Sequence, residues 1–397
     1  MNEEKGEDME KFNYLQPTEI RFGQGRLEEV AEAVSRYGRN CLLVTVPEIP
    51  EFTDLYLRIK SILKNKGIKV THFDQVIPNP TVEVVSKGAK LASENKVKSV
   101  IGMGGGSSMD TAKAIAVEVS HQGSCWNYLF SSEKQPTEDT LPIIAIPTTS
   151  GTGSHVTQVA VVTNPKEKYK SALFNSNLYP KISIIDPELV ITLPSRFTST
   201  TGFDVFAHSF ESYINPNGSP YTDLMALEAI RIVAHYLPQA VADGRNIKAR
   251  YWMAWADTLA GLCIANSGVT LPHGISMAMG GHFPHIAHGE ALAAVYPAIM
   301  RYTYKTSVYK FATVARIFDP SYEKKSEEES AERACKIIDD FLKKIRLRIS
   351  LKDLNVPKQA IKELAEASLV LPDYKNHPRL ANAEEINKLL QQSYQCE

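Results

Sequence analysis

Within TGFDVFAHSFESY, residues 201–213, an acid and a histidine, Asp204 and His208, stand four residues apart, and Glu211 follows three further on. On a helix this spacing puts all three on one face, beside an apolar face made by Phe203, Ala207 and Phe210. Burying a carboxylate and an imidazole costs on the order of several kcal/mol unless a cation or hydrogen-bond partners meet them. Downstream, GVTLPHGISMAMGGHFPHIAHGEALAAVYP supplies His273, His282, His285 and His288, four of the ten histidines. A lone Asp-x-x-x-His is more often a satisfied core hydrogen bond, but this crowding of imidazoles argues for a divalent cation. One acid with three imidazoles suits Fe(II) or Zn(II) and leaves a coordination position for a substrate.

Two further stretches could hold an anion. VKSVIGMGGGSSMDTAKAIA runs from a strand through Gly104, Gly105 and Gly106 into Ser107, Ser108 and a helix. Glycines let backbone N–H groups approach a phosphate, and the helix adds free donors and the positive end of its dipole. The stretch is neither a P-loop, since Lys113 comes too late, nor the spaced Rossmann fingerprint, which argues against kinase and ATPase chemistry. A strand, three glycines and a capping serine also describe an ordinary tight turn. AIPTTSGTGSHVT repeats the plan, with Thr148, Thr149 and Thr152 as hydroxyl donors and Gly151 and Gly153 allowing close approach. A Ser/Thr-rich crossover loop has the same composition. Two such loops at strand ends suit a dinucleotide better than a mononucleotide.

The elements that must position these groups fall into two rhythms. To about residue 190, β-branched runs (CLLVTV, IKVTHF, VKSVIGMG, PIIAIP, QVAVVT, ISIID) alternate with helical stretches, which predicts βαβ units on a largely parallel sheet. After LPSRFTST, long segments of helical spacing take over, from DLMALEAIRIVAHYL to EEINKLLQQSY. The fold class expected is therefore an α/β dinucleotide-binding domain over residues 1–195 and an all-α domain over 196–397, with a site in the cleft between them. The segment SYEKKSEEESAERACK reads as a solvated helix face or loop. With 44 Lys plus Arg against 45 Asp plus Glu, nothing favours nucleic acid as a partner. The start, MNEEKGEDMEK, has no apolar run with a cleavage site, and no stretch offers the ~20 apolar residues of a membrane span, so a cytoplasmic location is expected. Cys41, Cys125, Cys263, Cys335 and Cys396 form no Cys-x-x-Cys pair and read as reduced thiols, Cys263 as simple core packing.

Taken together and in order, RFGQG, PNPT, GGGSSMDTAK, AIPTTSGTGS, TGFDVFAHSFESY and the two HG pairs at 273–274 and 288–289 resemble the iron-containing (group III) alcohol dehydrogenases from about residue 14 to the C-terminus. The resemblance implies a dehydroquinate-synthase-like architecture and hydride transfer between NAD or NADP and a small alcohol or aldehyde. It implies a homodimer of the family type as partner arrangement and metal ligands at Asp204, His208, His273 and His288. It also implies cofactor contacts at Asn79, Gly104, Gly105, Gly106, Ser107, Asp110, Thr148, Thr149, Thr152 and Lys170. His282 and His285 compete as ligands, but neither precedes a glycine as the family's last ligand does. Three positions depart from the family pattern. Met277 replaces a histidine four residues after the third ligand, and a thioether relays no proton, so solvent, His282 or His285 would have to do so. Val46 replaces an acid that commonly holds the adenosine ribose, with Glu48 and Glu51 nearby offering no cation to a 2′-phosphate. His155 stands where Glu is frequent. Phe206, Phe210, Ile275, Met277, Met279 and Phe283 suggest an apolar lining for small apolar alcohols. Two alternatives stand beside this: a dehydroquinate-synthase-like lyase, which would need a basic cluster that these segments lack, and a catalytically silent metal-binding homologue.

Overall fold

The structure, a computed structural model, describes residues 11–395; Cys396 and the acidic stretch MNEEKGEDME lie outside the described residues. The β-branched runs form strands β1 (Glu19–Phe22), β2 (Asn40–Val44), β3 (Lys69–Phe73), β4 (Ser99–Gly104), β5 (Ile143–Pro147), β6 (Val159–Asn164), β7 (Tyr169–Phe174) and β8 (Ile182–Ile185). Six of them make one sheet in the order β1-β8-β5-β4-β2-β3, every pair parallel. The expected strand QVAVVT leaves this sheet: β6 pairs antiparallel with β7 as a separate hairpin. Its partner YKSALF and the edge strand EIRF were not foreseen, because polar residues interrupt their apolar pattern.

Alternation along the strands gives the sheet two covered faces. Leu42, Val44 and Val100 pack with Ala112 and Ile115, on the side of helices α3 (Val82–Glu94) and α4 (Gly106–Ser120). Cys41, Leu43, Ile101 and Ile144 face Val30, Ile59 and Leu63 of α1 (Val30–Ser35) and α2 (Pro50–Asn65). The chain runs from β2 outward to β3 and returns to the other side of β2 as β4. That reversal makes the carboxyl ends of β2 and β4 a switch point, where α/β sheets open a crevice for ligands; the glycine loop lies at this end of β4.

From Ser195 onward the named elements are helical: α5 (Ser195–Ile214), α6 (Pro220–Ala242), α7 (Ile247–Ser267), α8 (Leu271–His282), α9 (His288–Thr303), α10 (Val308–Phe318), α11 (Glu327–Lys344), α12 (Ile361–Ala367) and α13 (Ala383–Gln392), with short 3-10 turns between those after α9. Residues 202–214 of α5 are all buried, because α6, α7 and α9 surround it. Phe206 and Phe210 stack at 5.6 Å, within a cluster that includes Tyr296, Phe311 and Phe341. The Lys/Glu-rich segment forms α11, capped by Ser326 and solvated on its outer face. Cys41, Cys125, Cys263 and Cys335 are buried free thiols; burial pushes Cys41, Cys125 and Cys335 up to about 12, the behaviour of packing residues rather than nucleophiles. No helix among the described residues is long and apolar enough to cross a membrane.

Candidate active site

The stripe on α5 meets its partners at the cleft. Oδ1 of Asp204 faces three imidazole nitrogens: Nε2 of His208 at 3.7 Å, of His273 at 3.5 Å and of His288 at 3.7 Å. The rings of His208 and His273 stack at 4.6 Å, and His288 stands 5.1 Å from His273. Ligating atoms of Asp204, His273 and His288 lie within 4.8 Å of one another. Asp204 Oδ1 and His273 Nε2 are buried without a hydrogen bond to any described residue. Such a pair of orphaned atoms is costly unless something charged sits between them.

Each imidazole is aimed from behind. His208 Nδ1 is 3.1 Å from the Gly151 carbonyl and His273 Nδ1 is 2.7 Å from Glu211 Oε1; both partners only accept, so Nδ1 carries the proton and Nε2 presents its lone pair. His288 Nδ1 meets Ser276 Oγ at 2.7 Å, and that hydroxyl can donate to the His288 carbonyl at 3.3 Å, which again leaves Nδ1 the donor. Glu211, fully buried, also accepts from Thr270 N (2.8 Å) and Thr270 Oγ1 (3.1 Å), so its charge is compensated on both oxygens. Burial pushes Asp204 up, but the imidazoles of His208, His288 and His273 outweigh it and hold the carboxyl at about 2. Burial holds His208 below and His288 well below the usual histidine range. His273 is the exception: Glu211 and Asp204 overcome its burial and hold it up at about 10, so a metal would take the place of a proton on its Nε2. The donor set of one anionic oxygen and three directed nitrogens fits a divalent transition metal.

His282 and His285 do not join this cluster. His282 turns back to the Ala278 carbonyl (3.0 Å) and Glu363 (3.3 Å), and His285 is exposed. Gly289 explains why His288 arrives instead: a Cβ there would lie 2.1 Å from the Thr200 carbonyl oxygen, so only glycine lets the start of α9 close on α5.

The two loops pack against each other beside the cluster. A Cβ on Gly106 would come within 2.7 Å of Thr152 Cγ2, so this glycine keeps the first turn of α4 open. Asp110 accepts from Ser154 Oγ (2.7 Å) and from Val161 N (3.0 Å). Buried Lys113 donates to the carbonyls of Ser154, Thr157 and Val159 at 2.7, 2.9 and 2.7 Å. These two residues thus clamp α4 to the threonine loop and to β6. Lys170 Nζ donates to Asn79 Oδ1 at 2.8 Å, and Asn79, in a left-handed conformation that asparagine tolerates, donates to the Pro284 carbonyl. Burial lowers Lys170 to about 8 despite Asp110 and Asp204.

A cavity of about 760 Å³ joins the two sets of groups. Asn79, Gly106, Ser107, Asp110, Thr152 and Lys170 line it together with all four of the Asp204 cluster, whereas Gly104, Gly105, Thr148 and Thr149 are not among its lining residues. Of the apolar lining expected from sequence, Met277 lines the cavity. Phe206 and Phe210 are core residues of α5, Ile275 and Met279 lie in the cluster with Leu271 and Val295, and Phe283 packs on that cluster. The apolar walls come instead from Val159, Val161, Phe174, Ile264, Val269 and Leu371. Asn217, Asp373 and Asn376 also reach the cavity; no motif marked them, since the C-terminal segment meets α8 only in the folded chain. His155, at the odd family position, is fully buried, 3.1 Å from Thr258 Oγ1, and burial holds it neutral at about 3. It packs the threonine loop onto α7 and does not line the cavity.

The family model described as iron-containing alcohol dehydrogenase matches residues 17–187, and the model of the C-terminal part of the Fe-containing alcohol dehydrogenase family matches residues 198–394. The chain belongs to the iron-containing alcohol dehydrogenase family. It is 37% identical to a choline dehydrogenase of Bacillus subtilis (strain 168), over 96% of this chain and 95% of that protein. Among solved structures, an archaeal halo-thermophilic Red Sea brine pool alcohol dehydrogenase superposes with a TM-score of 0.92 at 34% identity, over 97% of this chain and 99% of that one. Sulfoacetaldehyde reductase from Bifidobacterium kashiwanohense, solved with NAD+, superposes with a TM-score of 0.84 at 30% identity, over 98% of this chain and 100% of that one. As an iron-containing alcohol dehydrogenase the chain is an oxidoreductase with a parallel-sheet α/β part and a helical part. The lyase alternative is not favoured.

Proposed function

We propose that this chain interconverts a small alcohol and its aldehyde or ketone, with Fe(II) on Asp204, His208, His273 and His288 and NAD across the glycine loop. The observation that carries this reading is the single carboxylate oxygen of Asp204 facing three Nε2 atoms at 3.5–3.7 Å inside the cavity that Gly106 and Lys170 also line. When bound, the metal supplies Lewis-acid polarisation of the substrate oxygen and the nicotinamide accepts or returns the hydride. Asp204 neutralises part of the cation's charge, while Gly151, Glu211 and Ser276 fix the three imidazoles so that every Nε2 points inward. The free N–H groups at the start of α4, with Ser107 and Thr152, take the pyrophosphate, and Lys170, held by Asn79, stands beside the nicotinamide ribose. Met277 lines the cavity and moves no proton; with His282 and His285 turned away, the alcohol's proton leaves through solvent in the cavity.

Three finer points belong to the same proposal. Val46, just beyond β2, removes the carboxylate that would repel a 2′-phosphate, but neighbouring Glu48 and Glu51 offer no cation to bind one, so NAD is preferred over NADP in this reading. The split into a dinucleotide-binding domain, 1–195, and a metal-binding domain, 196–397, accords with the sheet strands ending at Ile185 and α5 starting at Ser195. A homodimer and a cytoplasmic location complete the reading; light scattering and fractionation test them. The central test is an absorbance screen of alcohols and aldehydes with NAD and NADP, on protein reconstituted with Fe(II) or Zn(II). Substrate-dependent NADH formation lost in His208→Ala is the expected result, and full turnover by a chelated His208→Ala protein defeats the proposal.

A further inference from the structure

The helical end of the cavity carries a carboxylate that this chemistry leaves unused. Asp373 stands in the 3-10 turn Pro372–Asn376, packed on the first turn of α8, where a Cβ on Gly274 would lie 3.9 Å from its own Cβ. The turn is firmly tied: Asn376 Nδ2 donates to the Val269 carbonyl at 3.3 Å, Asn217 Nδ2 to Asn376 Oδ1 at 3.1 Å, and His377 bridges Thr270 and Thr303 at 3.2 and 2.7 Å. The Asp373 carboxyl accepts from its own backbone N–H and makes no ion pair with any described residue. Among the described lining residues Lys170 is the one Lys or Arg, and its Nζ is already engaged by Asn79. Ile264, Val269 and Leu371 line the same cavity as Asp373, together with the polar Asn217 and Asn376. Burial raises its carboxyl to about 6, with His273 opposing and Glu211 reinforcing.

A carboxylate on the wall of a cavity whose one lysine is already engaged can receive the cationic group of a ligand. We propose that Asp373 is a specificity-determining residue that selects small alcohols bearing an ammonium group, their hydroxyl toward the Asp204 cluster and their cation against Asp373. A quaternary ammonium suits the site, because its methyl groups bury against Ile264, Val269 and Leu371 while its charge offsets the carboxylate. A neutral alcohol of the same shape leaves Asp373 desolvated and uncompensated. The inference rests on the alcohol-dehydrogenase reading above.

The test compares choline with 3,3-dimethyl-1-butanol, which differs by carbon in place of the charged nitrogen, in the iron-loaded wild type and in Asp373→Asn. The isosteric change removes no hydrogen bond, so an unaltered melting temperature is the control for folding. Wild type should prefer choline, and D373N should lower kcat/KM for choline by roughly ten- to a hundredfold while changing the neutral alcohol less than about threefold. A wild type that favours the neutral alcohol, or a D373N protein with an unchanged ratio, overturns the proposal. NADH formation from neither alcohol defeats the dehydrogenase reading instead. Calorimetric titration with tetramethylammonium chloride then decides the role of Asp373: binding weakened in D373N supports it, and absent or equal binding overturns it.

Discussion

At one end of the cavity the groups on offer are backbone amides and threonine hydroxyls from two loops, each contiguous in sequence. At the other they are four side-chain atoms from α5, α8 and α9, brought from residues 204 to 288. The first site is built from what any sequence has, N–H groups, so its requirement is for side chains to be missing, as at Gly106. The second is built from what few sequences have, and each proposed ligand has a partner behind it: Gly151 behind His208, Glu211 behind His273, Ser276 behind His288. A backbone site should fail by obstruction, a side-chain site by deletion.

The sharpest way to break this contrast is Asp204→Asn, which removes the anionic oxygen that all three Nε2 atoms face. Iron content measured by plasma emission should fall to background, and kcat/KM should drop by about a thousandfold or more, the several kcal/mol that a Lewis acid supplies. At the other end, Gly106→Val adds bulk against Thr152. NADH affinity, read by fluorescence titration, should weaken by about ten- to a hundredfold, as overpacking of 1–3 kcal/mol implies, with iron content unchanged. An Asp204→Asn protein with intact iron, or a Gly106→Val protein that loses iron, would erase the distinction.

Glu211→Gln refines the metal end, because it keeps the shape behind His273 while removing the charge. Iron affinity from chelator competition should fall about 10- to 100-fold, the cost typical of an altered partner behind a ligand. NADH affinity should hold. The smallest effect concerns acid stability. His155 and His377 are both pushed down by burial, to about 3 and about 4, from an ordinary value of 6.5. His155 faces Asp257 and Thr258, with Lys113 adding to its depression, and His377 lies between Thr270 and Thr303. Between those values and 6.5 the unfolded chain binds more protons than the folded one, so stability is full above pH 6.5 and declines as pH falls toward 4. Urea midpoints across this range should show the decline, and His377→Gln should flatten part of it.

Much of the proposed cofactor end was legible in GGGSSMDTAK and AIPTTSGTGS, since strand, glycines and helix follow one another directly and the donors come with the backbone. Asp204, His208 and the histidine cluster were legible as residue types, yet choosing His288 over His282 and His285 needed the glycine after it. The structure gives the reason in the approach of Gly289 to Thr200. The cavity walls were misread: Phe206 and Phe210 have the composition of a binding pocket but face Tyr296 and Phe311 in the core. Composition is the same for an apolar wall and an apolar core, and only the direction of the side chain separates them.

What residue order alone settled for this protein is local: where strands give way to helices, where glycines follow a strand, and which residue types a proposed metal site can draw on. What the tertiary structure decided is which distant groups meet. β6 and β7 leave the parallel sheet to wall the cavity, and His155 becomes packing beneath the threonine loop. Asp373 arrives beside His273 across nearly a hundred residues of chain. Periodicity and backbone preference act over a few residues and are written in sequence; contacts between remote segments follow from how whole helices pack, which no short stretch encodes.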